Sequence, residues 1–222
     1  MATNNENRVE RYSLNMIDLG EITNDELVGT SHLLVQLIKV VPPEGGPILE
    51  NQPLSPRIGE CENLTELCLL NCSCIPTEIS NCKTLRILAL FSRGNDDGDF
   101  NCRIELPEGT VLQNLTEVLV RGGRNWNADE FISWLTTCCP NLHELSFYDL
   151  TKDTANQFIR LLQDNEAFIE KFKHKLLSIL FNNCSLNEDD ARSILFDMKP
   201  LYPRLCCIDL ENNNIESIET IG

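Results

Sequence analysis

The sequence predicts an α/β protein, with a curved parallel sheet on one side and helices and irregular segments on the other. Two observations carry this. A short apolar strand pattern, Leu-x-x-Leu-x-Leu with Ile, Val or Phe substitutes, starts in turn at Leu64, Leu85, Leu115, Leu142, Leu176 and Leu205. The segments between the later copies carry helix caps and the 3.6-residue apolar period instead.

Residues 1–53 read as an N-terminal capping unit. Leu14, Ile17 and Leu19 suit a degenerate strand. Thr23 and Glu26 have capping-box spacing, and Leu27, Leu33, Leu34, Leu37 and Ile38 line one helical face. The Pro/Gly-rich stretch 42–56 reads as a connector. Residues 54–222 are expected to form one domain of about six repeated units. The chain stops just past a strand pattern with no polar helix after it. A missing C-terminal cap, and hence a fragment, is therefore expected.

Three copies extend into the fuller pattern Leu-x-x-Leu-x-Leu-x-x-Asn/Cys-x-Leu. Leu64, Leu67, Leu69, Cys72 and Cys74 fill the first. Leu176, Ile179, Phe181, Cys184 and Leu186 fill the second, and Leu205, Ile208, Leu210, Asn213 and Ile215 the third. The copies at Leu85, Leu115 and Leu142 keep the front half only, with Arg93, Gly123 and Leu150 in the ninth position. The spacings are 21, 30, 27, 34 and 29 residues. A polar loop over 93–102 lengthens the second, and an extra helical turn within 165–175 lengthens the fourth.

The connectors fall into two kinds. PRIGECENL (56–64) and PTEISNCKTL (76–85) are short and place Ile58 and Ile79 in equivalent positions. The later ones are helical. Asn127 caps a helix presenting Phe131, Ile132, Trp134 and Leu135, which Pro140 ends. Thr151 starts one with Ala155, Phe158, Ile159 and Leu162 inward. Asn187 starts a third, with Asp189 and Asp190 favouring the positive end of the helix dipole and Pro200 stopping it.

This arrangement resembles the leucine-rich repeat family over roughly residues 54–218. The short early units resemble its short repeats, and the later strand-turn-helix units its ribonuclease-inhibitor type. The resemblance implies a solenoid whose strands line a concave face, and a non-catalytic role in protein binding.

Composition narrows the function. With 18 basic and 34 acidic residues the net charge is −16. A field of that sign disfavours nucleic acid and anionic membrane surfaces and favours basic partners. No secretory h-region and no bilayer-length apolar run is visible. Eleven cysteines, an odd number, fit reduced thiols in a cytoplasmic protein. No metal is expected: Cys72-x-Cys74 lacks ligand spacing, and the adjacent pairs Cys138-Cys139 and Cys206-Cys207 diverge in regular structure. Residues 95–102 fail as a calcium loop, because Phe100 stands where Gly is needed and Leu106 where Glu is needed. RGGR (121–124) is too short for RNA binding, and no phosphate-binding Gly-rich loop is present. No catalytic residue and no cofactor is expected.

Strand residues alternate sides. The third, fifth and seventh slots of each copy should therefore face outward and form the binding surface. They are Glu66, Cys68 and Leu70; Ile87, Ala89 and Phe91; Glu117, Leu119 and Arg121; Glu144, Ser146 and Tyr148; Ser178, Leu180 and Asn182; and Cys207, Asp209 and Glu211. Leu70, Ile87, Phe91, Leu119, Tyr148 and Leu180 would make a contiguous apolar strip, rimmed by Glu66, Glu117, Glu144, Asp209 and Glu211. The expected partner is a protein with an apolar anchor flanked by Lys or Arg. The family resemblance also admits a regulatory subunit, either a small-GTPase activator or a ubiquitin-ligase substrate adaptor. CCPNLHEL (138–145) is similar to stretches in such adaptors, although no F-box precedes residue 54. A third class is a thiol enzyme using one exposed cysteine.

Overall fold

The computed structural model describes residues 11–15, 31–36, 38–41, 48–51, 53–70, 72–92, 105, 109–122 and 126–216, with side chains detailed from residue 53 onward. Its strands are β1 (Arg11–Asn15), β2 (His32–Gln36), β3 (Ile38–Val41), β4 (Ile48–Asn51), β5 (Glu66–Leu70), β6 (Ile87–Phe91), β7 (Glu117–Arg121), β8 (Glu144–Tyr148), β9 (Ser178–Asn182) and β10 (Cys207–Asp209). Eight of them form one parallel sheet in the order β1-β2-β5-β6-β7-β8-β9-β10. Spatial order therefore follows chain order, with only the antiparallel pair β3–β4 set aside.

The N-terminal part departs from expectation. Leu33, Leu34 and Ile38, expected on a helical face, lie in β2 and β3, and the connector over 42–56 contains β4. HLLVQLIKVV is a short aliphatic run with little periodicity of its own, which suits a buried strand as well as a helix. Backbone pairing with β5 decides the matter: Thr65 N–H donates to Ser31 O at 2.8 Å, and β2 runs in register with β5. Leu14 lies in β1. Ile17, Leu19, Thr23, Glu26, Leu27 and Leu37 fall outside the described residues, as do the loop over 93–102 and residues 217–222.

The inward positions line up in two columns. Leu67, Leu88, Val118, Leu145 and Ile179 are register partners across β5–β9, as are Leu69, Leu90, Val120, Phe147 and Phe181. All are buried. Each column stacks one apolar side chain per strand spacing of about 4.8 Å.

The connectors cover these columns. Pro56–Glu60 and Thr77–Asn81 are 3-10 turns that bury Ile58 and Ile79. They pack closely at Gly59, where a Cβ would come within 2.8 Å of the Glu78 carbonyl oxygen. Later come α1 (Ala128–Cys138), α2 (Lys152–Asp164), α3 (Glu166–Phe172) and α4 (Glu188–Arg192). Their N-caps are Asn127, Thr151, Asn165 and Asn187, each accepting a hydrogen bond from the first turn. Asn187 and Asp190 complete a reciprocal capping box. The helix then continues as a π turn, Ser193–Met198, and a 3-10 turn, Lys199–Leu201.

An aromatic chain joins the layers. Phe131 meets Phe158 edge-on, Phe158 packs on Phe147 at 4.5 Å between centroids, and Phe147 stacks on Phe181 at 4.8 Å. Such pairs contribute about 0.5–1.5 kcal/mol each beyond burial. Tyr202, fully buried, donates its hydroxyl to Leu162 O at 2.6 Å, tying the segment that follows the Lys199–Leu201 turn to α2.

The turns after the strands rely on side chains in the ninth position of the repeated pattern. Asn213 Oδ1 accepts from the backbone N–H groups of Cys184 and Leu186 at 2.9 and 3.1 Å, and its Nδ2 donates to Phe181 O and Leu210 O. Cys184 Sγ donates to Asn182 O at 3.3 Å, and Cys72 Sγ to Cys74 O at 3.1 Å. One inward assignment is corrected. Cys74 is only half-buried, and Ile75 takes the core position beside it. The backbone of Ser73–Ile75 is held by hydrogen bonds to Glu105, which shifts the inward side chain by one residue.

Candidate interaction surface

Register sorts the outward side chains into three rows. The first holds Glu66, Ile87, Glu117, Glu144, Ser178 and Cys207. The second holds Cys68, Ala89, Leu119, Ser146, Leu180 and Asp209. The third holds Leu70, Phe91, Arg121, Tyr148 and Asn182. Glu211 lies beyond β10 and outside the rows.

The sequence expectation of eighteen accessible positions needs correction at four. Ala89, Ser146, Ser178 and Asn182 are buried. The first three have short side chains set among longer neighbours, and the Asn182 amide lies down toward β10, where Nδ2 donates to Asp209 Oδ2 at 3.1 Å. Leu70, Ile87, Phe91, Leu119, Tyr148 and Leu180 are all half-buried. They do not share a row: Arg121 stands between Phe91 and Tyr148, and Ile87 lies in the acidic row. Only Leu70 and Phe91 are direct partners, and the others meet on the diagonal.

Burial therefore varies across the face. In the middle row the small residues Ala89 and Ser146 lie low, and the half-buried Leu119 stands between them, with Cys68 and Leu180 at either side. The first row carries Glu66, Glu117 and Glu144, and the third carries Leu70, Phe91 and Tyr148 with Arg121 among them. The face is uneven, with an acidic edge and an apolar and aromatic edge.

Electrostatics differ between the two outer rows. In the first row Glu117 and Glu144 are direct partners on β7 and β8. Partial burial pushes the Glu117 carboxyl above its usual range; Glu144 and then Glu66 add to this, while Arg86 opposes it. On the third row the Arg121 guanidinium lies 6.0 Å from the Phe91 ring centroid and donates from Nε to Asp149 Oδ2 at 2.5 Å. Asp149 also accepts from Asn183 Nδ2 at 2.7 Å. That hydrogen bond, with Arg121 adding to it, holds the Asp149 carboxyl below its usual range against the opposing effect of burial.

Asp149 and Asn183 were not among the residues expected from sequence. Each follows a strand directly and has a positive φ, 55° and 53°. An Asp or Asn at the first residue after a strand is the signal that would have found them, since short polar side chains tolerate that conformation.

No family model and no curated protein matches the sequence.

The cysteines are set by burial. Cys68, in the middle row, is pushed up to about 11 by desolvation, and Cys61 and Cys184 likewise to about 11. Cys72 and Cys82 rise to about 12. A thiol raised this far is protonated near neutrality and a poor nucleophile. Cys206, just before β10, and Cys207, its first residue, are exposed. Among the described residues, no group of three or more His, Cys, Asp or Glu side chains is placed to hold a metal ion. No described helix is long and apolar enough to cross a membrane.

Proposed function

We propose that this chain is a leucine-rich repeat solenoid of the mixed short and ribonuclease-inhibitor-like type. It works as a non-catalytic scaffold that takes a protein partner on the outward face of its sheet. Support for the solenoid comes from the match between chain order and strand order, and from ninth-position side chains binding the turns. The observation that carries the function is the outward face itself: an acidic row with Glu66, Glu117 and Glu144 across from a row holding half-buried Leu70, Phe91 and Tyr148. Half-buried aromatic side chains beside fixed charge are the usual anchors of protein interfaces. The partner matching this face has an apolar anchor and a Lys- or Arg-rich rim.

Partner capture by wild-type protein and by the Phe91→Ala/Tyr148→Ala double variant tests the proposal. Loss of capture with an unchanged circular dichroism spectrum is expected. Undiminished capture by the folded variant would sink it.

A further inference from the structure

We infer that the apolar anchor taken by this face is an aromatic side chain, stacked on the guanidinium of Arg121. The inference rests on the scaffold reading above and names the group that the third row receives.

Leu70, Phe91, Arg121 and Tyr148 follow one another along that row on β5–β8, each the register partner of the next. Neighbours in such a row are about 4.8 Å apart. Leu70, Phe91 and Tyr148 are half-buried, whereas the Arg121 side chain is 58 % exposed. Arg121 is also the single basic residue among the outward positions of β5–β10. An apolar row is thus interrupted by one exposed, planar cation.

The protein itself holds that cation in place. Arg121 Nε donates to Asp149 Oδ2, and Asn183 Nδ2 fixes the other oxygen of Asp149. The guanidinium carbon lies 6.0 Å from the Phe91 ring centroid. A partner that immobilises a free Arg must overcome the loss of its rotamer freedom. Here part of that loss is already met in the folded chain. Arg and Tyr are enriched among the residues that carry most of the energy of protein interfaces.

Chemistry selects among the groups that a partner can place on Arg121. A Lys or Arg is repelled by it. A carboxylate meets a guanidinium whose charge Asp149 already balances, and Asp149 repels it. An aliphatic group strips water from the guanidinium and puts nothing polar in its place. An aromatic ring lies flat against the planar cation and is attracted through its quadrupole. It leaves the N–H edge free to face Asp149 and water. It also extends the aromatic contact that Phe91 already makes with the same group. The cationic rim of the partner then falls toward the first row, four residues away along each strand, or about 13 Å.

The probes are the acetylated, amidated peptides Gly-Trp-Gly, Gly-Leu-Gly and Gly-Glu-Gly, titrated to millimolar concentration into the full ¹⁵N-labelled chain. The Trp peptide should shift the amides of Phe91, Arg121 and Tyr148. It should also move the Arg121 Nε–H signal upfield, the ring-current signature of a ring stacked on the guanidinium. It should bind at least about fivefold more tightly than either of the other peptides. Arg121→Met keeps an unbranched apolar stem and removes the cation. In that variant the Trp and Leu peptides should bind within about twofold of each other.

Equal binding of the Leu peptide to wild type, or tighter binding of the Glu peptide, overturns the inference. So does a preference for Trp that survives in Arg121→Met, or the absence of any shift at these residues with all three peptides. The scaffold reading is judged separately: it stands if the Phe91→Ala/Tyr148→Ala variant loses its partner and falls if that variant keeps it.

Discussion

Arg121 Nε and Asp149 Oδ2 lie 2.5 Å apart, linking the end of β7 to the residue just past β8. Asn183 donates to the other carboxylate oxygen, so Asp149 ties three successive units together. Its carboxyl is held low, first by Asn183 and then by Arg121. A lowered carboxyl pKa adds stability above the unfolded-state value, and that stability is lost as pH falls through the folded-state value. Asp149→Asn keeps a residue that tolerates positive φ but removes the charge. At pH 7 it should cost no more than about 1 kcal/mol, because the Arg121 side chain is 58 % exposed and water screens the pair. Urea melts at pH 7 and pH 3 check this: the gap between variant and wild type should narrow at the lower pH.

Glu117 has the opposite sign. Its carboxyl is raised by burial and by Glu144, so the folded state holds the proton more tightly than the unfolded chain does. Its contribution is therefore most favourable at acid pH and is lost as pH rises through the folded-state value. Glu117→Gln should leave stability at pH 7 unchanged or raise it by a few tenths of a kcal/mol, up to about 1 kcal/mol. The gain should vanish near pH 4, and thermal melts across that range measure it. A loss at pH 7 would mean that the contact with Arg86 outweighs repulsion from Glu144.

The strand and helix positions from residue 64 onward were legible because each is written locally. Leu67 and Leu69, or Leu88 and Leu90, show a period of two, and Asn127, Thr151 and Asn187 carry caps that need only their own first turn. The π turn over Ser193–Met198 was not legible, because its apolar spacing fits an ordinary helix. Residues 33–38 failed for a related reason: the choice of strand over helix comes from pairing with β5, which lies outside the segment. On the outward face, alternation gave the side each residue faces, but not its accessibility. Ala89 and Ser146 face outward and are still buried, because their short side chains sit between longer neighbours on the adjacent strands. Which outward positions are low therefore could not be read from any single copy.

Asn213 makes five hydrogen bonds across two turns, two accepted by Oδ1 and three donated by Nδ2, to Phe181 O at 2.6 Å, Leu210 O at 2.8 Å and Glu211 O at 3.3 Å. Asn213→Ala leaves the backbone groups of Cys184, Leu186 and Phe181 without those partners, and each such loss costs about 1 kcal/mol or more when water cannot replace it. Asn213 is only half-buried, so water recovers part of this. The expected loss is about 2–3 kcal/mol. Hydrogen exchange should show the Cys184 and Leu186 amides losing protection first. A variant with wild-type protection at both amides would show that Asn213 is not what holds the turn.

Gly122 and Gly109 give a paired test of backbone constraint. Both have positive φ, 68° and 66°. A Cβ on Gly109 meets nothing within 4 Å, whereas one on Gly122 would lie 2.3 Å from the Ser92 carbonyl oxygen. That oxygen belongs to backbone held by the bond from Ser92 N–H to Arg121 O, so it cannot move aside freely. Gly122 is itself pinned, donating to Tyr148 O and accepting from Trp126 Nε1 at 2.6 Å. Gly109→Ala should therefore cost only the left-handed conformation, about 1–2 kcal/mol. Gly122→Ala adds the steric conflict and should cost about 2–4 kcal/mol. For a chain of this size each kcal/mol lowers Tm by about 2–4 °C, so calorimetry separates the two variants readily. Equal losses would mean that the Ser92 backbone yields, and that the close approach of β6 and β7 at this turn is not a fixed feature of the sheet.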